Sequence, residues 1–160
     1  MKKRVLFVCL GNICRSPAAK AIFSKLAADR EWAHSLEIDS AGTGGWNVGE
    51  PADERMREHA ARRGYQVNHR ARKFDRNTDF DQFDMIIGMD DENIRRLRSL
   101  ARNGNDLKKI RRMTEFSRLY GYSSVPDPYY GGEEGFELVM DLLEDALEGL
   151  LEVIVKPEFR

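Results

Sequence analysis

The sequence predicts an α/β fold: a parallel sheet with helices on both faces. Two observations carry it. Short apolar runs rich in β-formers alternate with segments of helical period along the chain. The 160 residues hold no internal repeat, low-complexity tract or Pro/Ser-rich linker, so residues 1–160 read as one domain with one core.

The elements follow in order. Residues 5–9, Val-Leu-Phe-Val-Cys, have the continuous apolar character of a central strand. A helix follows, with Ser16 as a candidate N-cap and Pro17 at its first position. Ala19, Ile22, Phe23 and Leu26 then recur at helical spacing. Residues 36–40 form a second strand, ended by Ala41-Gly42. Residues 43–50 are a Gly-rich loop. Pro51 opens a second helix that Gly64 closes. Residues 84–89, with Met85-Ile86-Ile87, form a third buried strand. Asp90 or Asp91 caps the next helix, which turns Ile94, Leu97 and Leu100/Ala101 inward and ends at Asn103-Gly104. Residues 107–111 give the weakest strand pattern. Residues 113–133 have no period, and a loop of that length in a compact domain is usually functional or disordered. Phe136, Val139, Met140, Leu143, Leu147, Leu150, Leu151 and Ile154 share one face of a long last helix, whose interior Gly149 weakens the final turns.

Composition removes several functions. Apolar residues make up 41% and charged residues 33%, the balance of a globular soluble chain. A net charge of −1 gives no bulk attraction to nucleic acid or an anionic membrane. No apolar run approaches the roughly 20 residues of a membrane span. The basic start and short apolar run lack a cleavage site, so a cytoplasmic location is expected, with export lacking a signal peptide left open. Two cysteines, Cys9 and Cys14, are too few for a disulfide framework or a closed zinc site.

The chemistry concentrates in Cys9-Leu10-Gly11-Asn12-Ile13-Cys14-Arg15-Ser16. This segment joins a strand end to a helix start, where parallel sheets bind ligands and helix N-termini attract anions. Its amides can curl around a phosphate as a nest, and Gly11 relaxes the backbone. An electropositive nest favours the thiolate form that nucleophilic cysteine chemistry requires. Five residues separate Cys9 from Arg15, which lets the guanidinium fold back over the loop and grip two phosphate oxygens. Ser16 can donate to the sulfur. The alternative is a tight strand–helix turn with a buried Cys and a surface Arg. A leaving oxygen also needs a general acid opposite the nucleophile. Asp127-Pro128-Tyr129-Tyr130 offers a carboxyl beside two rings, yet taken alone it reads as an ordinary Asp-Pro turn.

The run from Val8 to Pro17 resembles the phosphate-binding signature of low-molecular-weight protein tyrosine phosphatases. So do Asp39-Ser40-Ala41-Gly42-Thr43, Trp46-Asn47-Val48-Gly49, His69-Arg70-Ala71-Arg72, Met89-Asp90 and Asp127 to Tyr130, as well as Gly-Phe-Glu-Leu-Val opening the last helix. The resemblance implies a four-stranded, flavodoxin-like three-layer fold and an enzyme without cofactor or metal. It implies that Cys9 forms a cysteinyl-phosphate, Arg15 binds the phosphoryl group, and Asp127 serves as acid and then as base. Leu10, Gly11, Asn12, Ile13, Cys14 and Ser16 would contact the phosphate, and phosphate, vanadate or sulfate would occupy the loop as inhibitors. Asn12 and Ser40 would hold the loop in shape, with His69 a structural histidine near Asp39. Trp46, Tyr129 and Tyr130 would line a slot for a phosphotyrosine ring of a protein or peptide. Cys14 matches a cysteine that can form a reversible disulfide with the nucleophile, or else simply fills the loop. A monomer with weak self-association through the aromatic rim is implied. His34 and His59 match nothing and read as surface residues.

Four other readings stand beside this one. Phosphoarginine phosphatases of the same fold carry Thr where this chain has Ile13. Arsenate reductases of this fold need downstream thiols, and no cysteine follows Cys14. A non-catalytic phosphotyrosine-binding module would be expected to have lost Cys9, Arg15 or Asp127. The basic residues Arg95, Arg96, Arg98, Arg102, Lys108, Lys109, Arg111 and Arg112 suggest a nucleic-acid or docking face, against which the overall charge argues. The resemblance implies a place for Glu50 where the slot's rim varies between members, and an acid there could disfavour acidic peptides.

Overall fold

The computed structural model describes residues 2–129 and 131–156. Strands β1 (Lys3–Cys9), β2 (Leu36–Gly42), β3 (Met85–Gly88) and β4 (Ile110–Arg112) form one parallel sheet in the order β2-β1-β3-β4. The helices are α1 (Arg15–Asp29), α2 (Glu54–Arg62), α3 (Asp79–Gln82), α4 (Asp91–Leu100), α5 (Gly104–Lys109) and α6 (Glu133–Val155).

The central strand explains the layers. Val5, Phe7 and Cys9 alternate onto one face of the sheet, and Leu6 and Val8 onto the other. The first face packs against α1, α2 and α6 through Phe23, Met56, Phe136 and Leu143. Phe7 meets Phe23 edge to face at 5.7 Å. The second face packs against α3 and α4 through Phe80, Ile94 and Leu97. Each fully buried side chain of this size stabilises the fold by about 2–3 kcal/mol. β1 is flanked by β2 on one side and β3 on the other, so the winding reverses at β1/β3. At such a point the carboxyl ends of the strands open a crevice. Cys9 ends β1 at that crevice.

Several boundaries depart from the sequence reading. Ser16 does not cap α1. The N-cap is Cys14, without a side-chain cap bond, because the Ser16 hydroxyl turns inward to Cys9 and Asn12. Pro51 does not open α2. Asp53 caps it, its carboxylate accepting the Arg55 and Met56 amides. Gly64, at φ 88°, closes α2 as expected. Asp90 is the cap of α4, taking the Asn93 amide at 2.8 Å. Asn103-Gly104 was expected to end a helix, but Asn103 caps α5, and the fourth strand shrinks to Ile110–Arg112.

Within the aperiodic stretch, residues 113–125 are held by polar contacts that periodicity does not register. Asp145 of α6 is buried and accepts the Ser117 hydroxyl at 2.5 Å and the Arg118 and Leu119 amides at 3.1 Å. The Val125 amide bonds the Met89 carbonyl at 2.8 Å, bringing the stretch to the end of β3. Gly149 does not weaken α6. A Cβ there would stand 1.9 Å from the Phe116 carbonyl oxygen, so the bare backbone lets the 3₁₀ turn Met113–Phe116 pack directly on the helix.

Candidate active site

The loop between β1 and α1 is held from outside. Its carbonyls accept from neighbours: Cys9 from the Thr43 amide, Leu10 from the Gly44 amide and Ile13 from the Asp53 amide, at 2.8–2.9 Å. The Asn12 carbonyl lies 2.8 Å from His69 Nε2, which must donate, since a carbonyl only accepts. Among the described residues, the amides of Gly11 to Cys14 donate to no protein group. Carbonyls turned outward and amides left over are the arrangement of an anion nest at a helix start.

Asn12, fully buried, is the keystone. Its side chain donates to Ser16 Oγ at 2.8 Å and to Ser40 Oγ at 3.0 Å, and accepts the Arg72 amide at 2.9 Å. Asn12 also adopts the left-handed conformation, φ 58°, a role the sequence had suggested for Gly11. Asn tolerates that region because its short amide bonds locally. Gly11 instead admits Asn47: a Cβ on Gly11 would sit 2.6 Å from the Asn47 side-chain nitrogen. Ser16 Oγ lies 3.0 Å from Cys9 Sγ, within reach to donate to the sulfur.

Arg15 is the largest of the fully buried side chains. Its guanidinium pairs with Asp90 at 2.6 Å, donates to the Val125 carbonyl at 3.0 Å and reaches Asp127 at 3.5 Å. Burial pushes the Arg15 pKa down, but Cys9, Asp90 and Asp127 outweigh it and hold it above its ordinary value. Asp127 is partly exposed and accepts the Tyr129 amide at 3.0 Å.

Cys9, Arg15 and Asp127 thus line one cavity of about 360 Å³, together with Leu10, Gly11, Ile13 and Cys14 of the loop. Trp46, Asn47 and Tyr129 form its rim. Tyr130 lies outside the described residues. Cys14 and Cys9 are both buried and unbridged. Burial, and then the Asp53 carboxylate, pushes the Cys14 thiol well up, so it stays neutral.

The supporting layer is wider than the sequence suggested. His69 is held neutral by burial and the nearby cations, despite its bond to Asn12. Arg72 forms a bidentate pair with buried Asp79 and also reaches Asp39. Asp90 was read as a possible cap and as part of the Met89-Asp90 motif, with no role toward Arg15, yet it anchors Arg15. Its signal was its place just beyond a buried strand's carboxyl end. Asn47 stood in a motif of the resemblance but was given no role, and it lines the cavity against Gly11. His59 is not a surface residue: it is 3% exposed, stacked on Phe136 and bonded to Glu137. His34 is exposed, as read. Much of the basic stretch is already paired, Arg95 with Glu92, Arg102 with Asp81 and Asp106, Arg111 with Glu115 and Arg112 with Asp91. No helix among the described residues is long and apolar enough to cross a membrane.

Residues 4–158 match the family model described as low molecular weight phosphotyrosine protein phosphatase. A Streptomyces coelicolor protein named low molecular weight protein-tyrosine-phosphatase is 43% identical over 156 residues, covering 96% of this chain and 94% of that protein. The crystal structure of a protein tyrosine phosphatase from Entamoeba histolytica superposes with a TM-score of 0.93 at 42% identity, over 96% of this chain and 97% of that one. A Drosophila protein described as an arginine phosphatase shares the fold at a TM-score of 0.87 and 31% identity, over 98% and 99% of the two chains. The chain belongs to the low molecular weight phosphotyrosine protein phosphatase family.

Proposed function

We propose that this protein hydrolyses phosphotyrosine monoesters in proteins or peptides, with Cys9 as nucleophile. The observation that carries the reading is the convergence of Cys9 Sγ, the unengaged amides of the loop and the Arg15–Asp127 approach on one cavity. The phosphoryl oxygens take those amides and the Arg15 fork. The Cys9 sulfur attacks phosphorus, the bond from phosphorus to the tyrosyl oxygen breaks, and Asp127 protonates that oxygen. Water then attacks the cysteinyl-phosphate and gives its proton to Asp127. Inorganic phosphate leaves, and the Ser16 hydroxyl stabilises the departing sulfur at 3.0 Å.

Trp46 and Tyr129 on the rim support an aromatic substrate, since a flat ring can lie between them while its phosphate reaches the loop. Ile13 in the cavity wall favours tyrosine over the arginine phosphate that related enzymes take. The lack of cysteine beyond Cys14 speaks against arsenate reduction. Cys14 lines the same cavity as Cys9, which supports a protective role: peroxide oxidises Cys9 to a sulfenic acid, and this condenses with the Cys14 thiol, releasing water. The enzyme acts in the cytoplasm as a monomer that self-associates weakly through its aromatic rim.

One assay panel tests this. Phosphotyrosine peptides are turned over without added metal and with vanadate inhibition, while phosphoserine and phosphoarginine peptides and arsenate are not processed. Preferred turnover of phosphoarginine, or loss of activity in EDTA, contradicts the reading.

A further inference from the structure

The N-terminus of α2 touches both halves of the cavity. The Asp53 amide donates to the Ile13 carbonyl of the phosphate loop at 2.8 Å. The Asp53 carboxylate holds Arg55 by two bonds, Nε at 3.3 Å and Nη2 at 3.1 Å. The same Nη2 donates to the Tyr129 carbonyl at 2.9 Å. The guanidinium also lies 5.4 Å from the Tyr129 ring and 4.8 Å from the Phe136 ring. One turn along α2, His59 stacks on Phe136 at 5.4 Å. Residues four apart on a helix share a face, so Arg55 and His59 both engage the ring at the start of α6.

Arg55 therefore grips the backbone of the segment that carries Asp127. The Tyr129 amide fixes the Asp127 carboxylate at 3.0 Å, and Arg55 fixes the Tyr129 carbonyl. We infer that Arg55 is a positioning residue, which sets the Asp127 carboxyl over the cavity by fastening Tyr129 to the helix that also braces the phosphate loop.

Geometry gives the inference its magnitude. Asp127 sits on an exposed turn, and a catalytic group displaced by about 1 Å can cost up to a hundredfold in rate. Arg55 is itself about half-exposed, so its removal leaves the Asp53 cap and the core contacts of α2 in place. Its effect falls on proton delivery rather than on folding. A lysine there keeps the charge but cannot fork to Asp53 and Tyr129 together.

The inference rests on the phosphatase reading and is tested separately from it. kcat/KM is measured for aryl phosphates of rising leaving-group pKa, in wild type, Arg55→Ala and Arg55→Lys, with thermal unfolding alongside. Arg55→Ala is expected to lose about tenfold with phenyl phosphate and progressively less with better leaving groups. Arg55→Lys falls between, and supplies the same comparison should the alanine variant fail to fold. In an Asp127→Ala background the Arg55 change adds less than about twofold, because the two act through one step. A loss equal for all leaving groups, or one that multiplies fully with Asp127→Ala, overturns the inference. A wild type inactive on every aryl phosphate refutes the phosphatase reading instead.

Discussion

The ring of Trp46 rests on the bare backbone of Gly44: a Cβ built there would stand 1.8, 2.4 and 2.8 Å from three ring carbons. Trp46 is 74% exposed, so this seat, more than core packing, fixes where the ring stands over the cavity. Gly44→Ala forces the ring off. The expected result is a several-fold higher KM for phosphotyrosine peptides with kcat within about twofold, a loss of uniform binding. Trp46→Ala should raise KM similarly, and the double variant should add little. Steady-state kinetics on the three variants checks this.

Asp90 carries two loads, the Arg15 pair at 2.6 Å and the cap of α4 at 2.8 Å. Asp90→Asn keeps an acceptor for the cap but takes from the buried guanidinium its closer carboxylate, leaving Asp127 at 3.5 Å. Removing one partner of a buried pair costs about 3 kcal/mol. Asp90→Ala also loses the cap, for about 1 kcal/mol more. Both variants should bind vanadate at least tenfold more weakly, with stability falling in the order wild type, Asn, Ala. Chemical unfolding and vanadate titration test the order.

Asp145 links the stretch after β4 to α6. Burial pushes its carboxyl up, but the bond from Ser117 and the amides of Leu119 and Arg118 outweigh it and leave it below the usual carboxylate range. A depressed folded value contributes stability above the unfolded pKa, near 3.9, which is lost as pH falls through the folded value. Asp145→Asn should therefore lower stability by about 1–2 kcal/mol at pH 7. The gap from wild type should narrow toward pH 3. Thermal unfolding at the two pH values shows whether it does; an equal gap at both speaks against this role.

The sheet and the loop were legible because their signals are local. Apolar runs mark β1 and β3, and Cys9 and Arg15 stand at a fixed spacing between a strand and a helix. Asp127 was not legible from its own residues. Its position depends on the Val125–Met89 bond, on Asp145 and on the Arg55–Tyr129 contact, all distant in sequence. The caps were misread where a polar side chain had two possible uses. Ser16 serves the sulfur rather than the helix, and Asn103 begins a helix rather than ending one. His59 resembled a surface residue because its partners, Phe136 and Glu137, lie on a helix far along the chain.

The central claim is that Cys9 carries the phosphoryl group in mid-reaction. Rapid acid quench of the enzyme turning over an aryl phosphate, followed by peptide mass spectrometry, tests this most directly. The account predicts one phosphoryl group on the Cys9 peptide, absent in Cys9→Ser, which should also be inactive. An unmodified Cys9 peptide during turnover, or a Cys9→Ser variant that still turns over substrate, would contradict it.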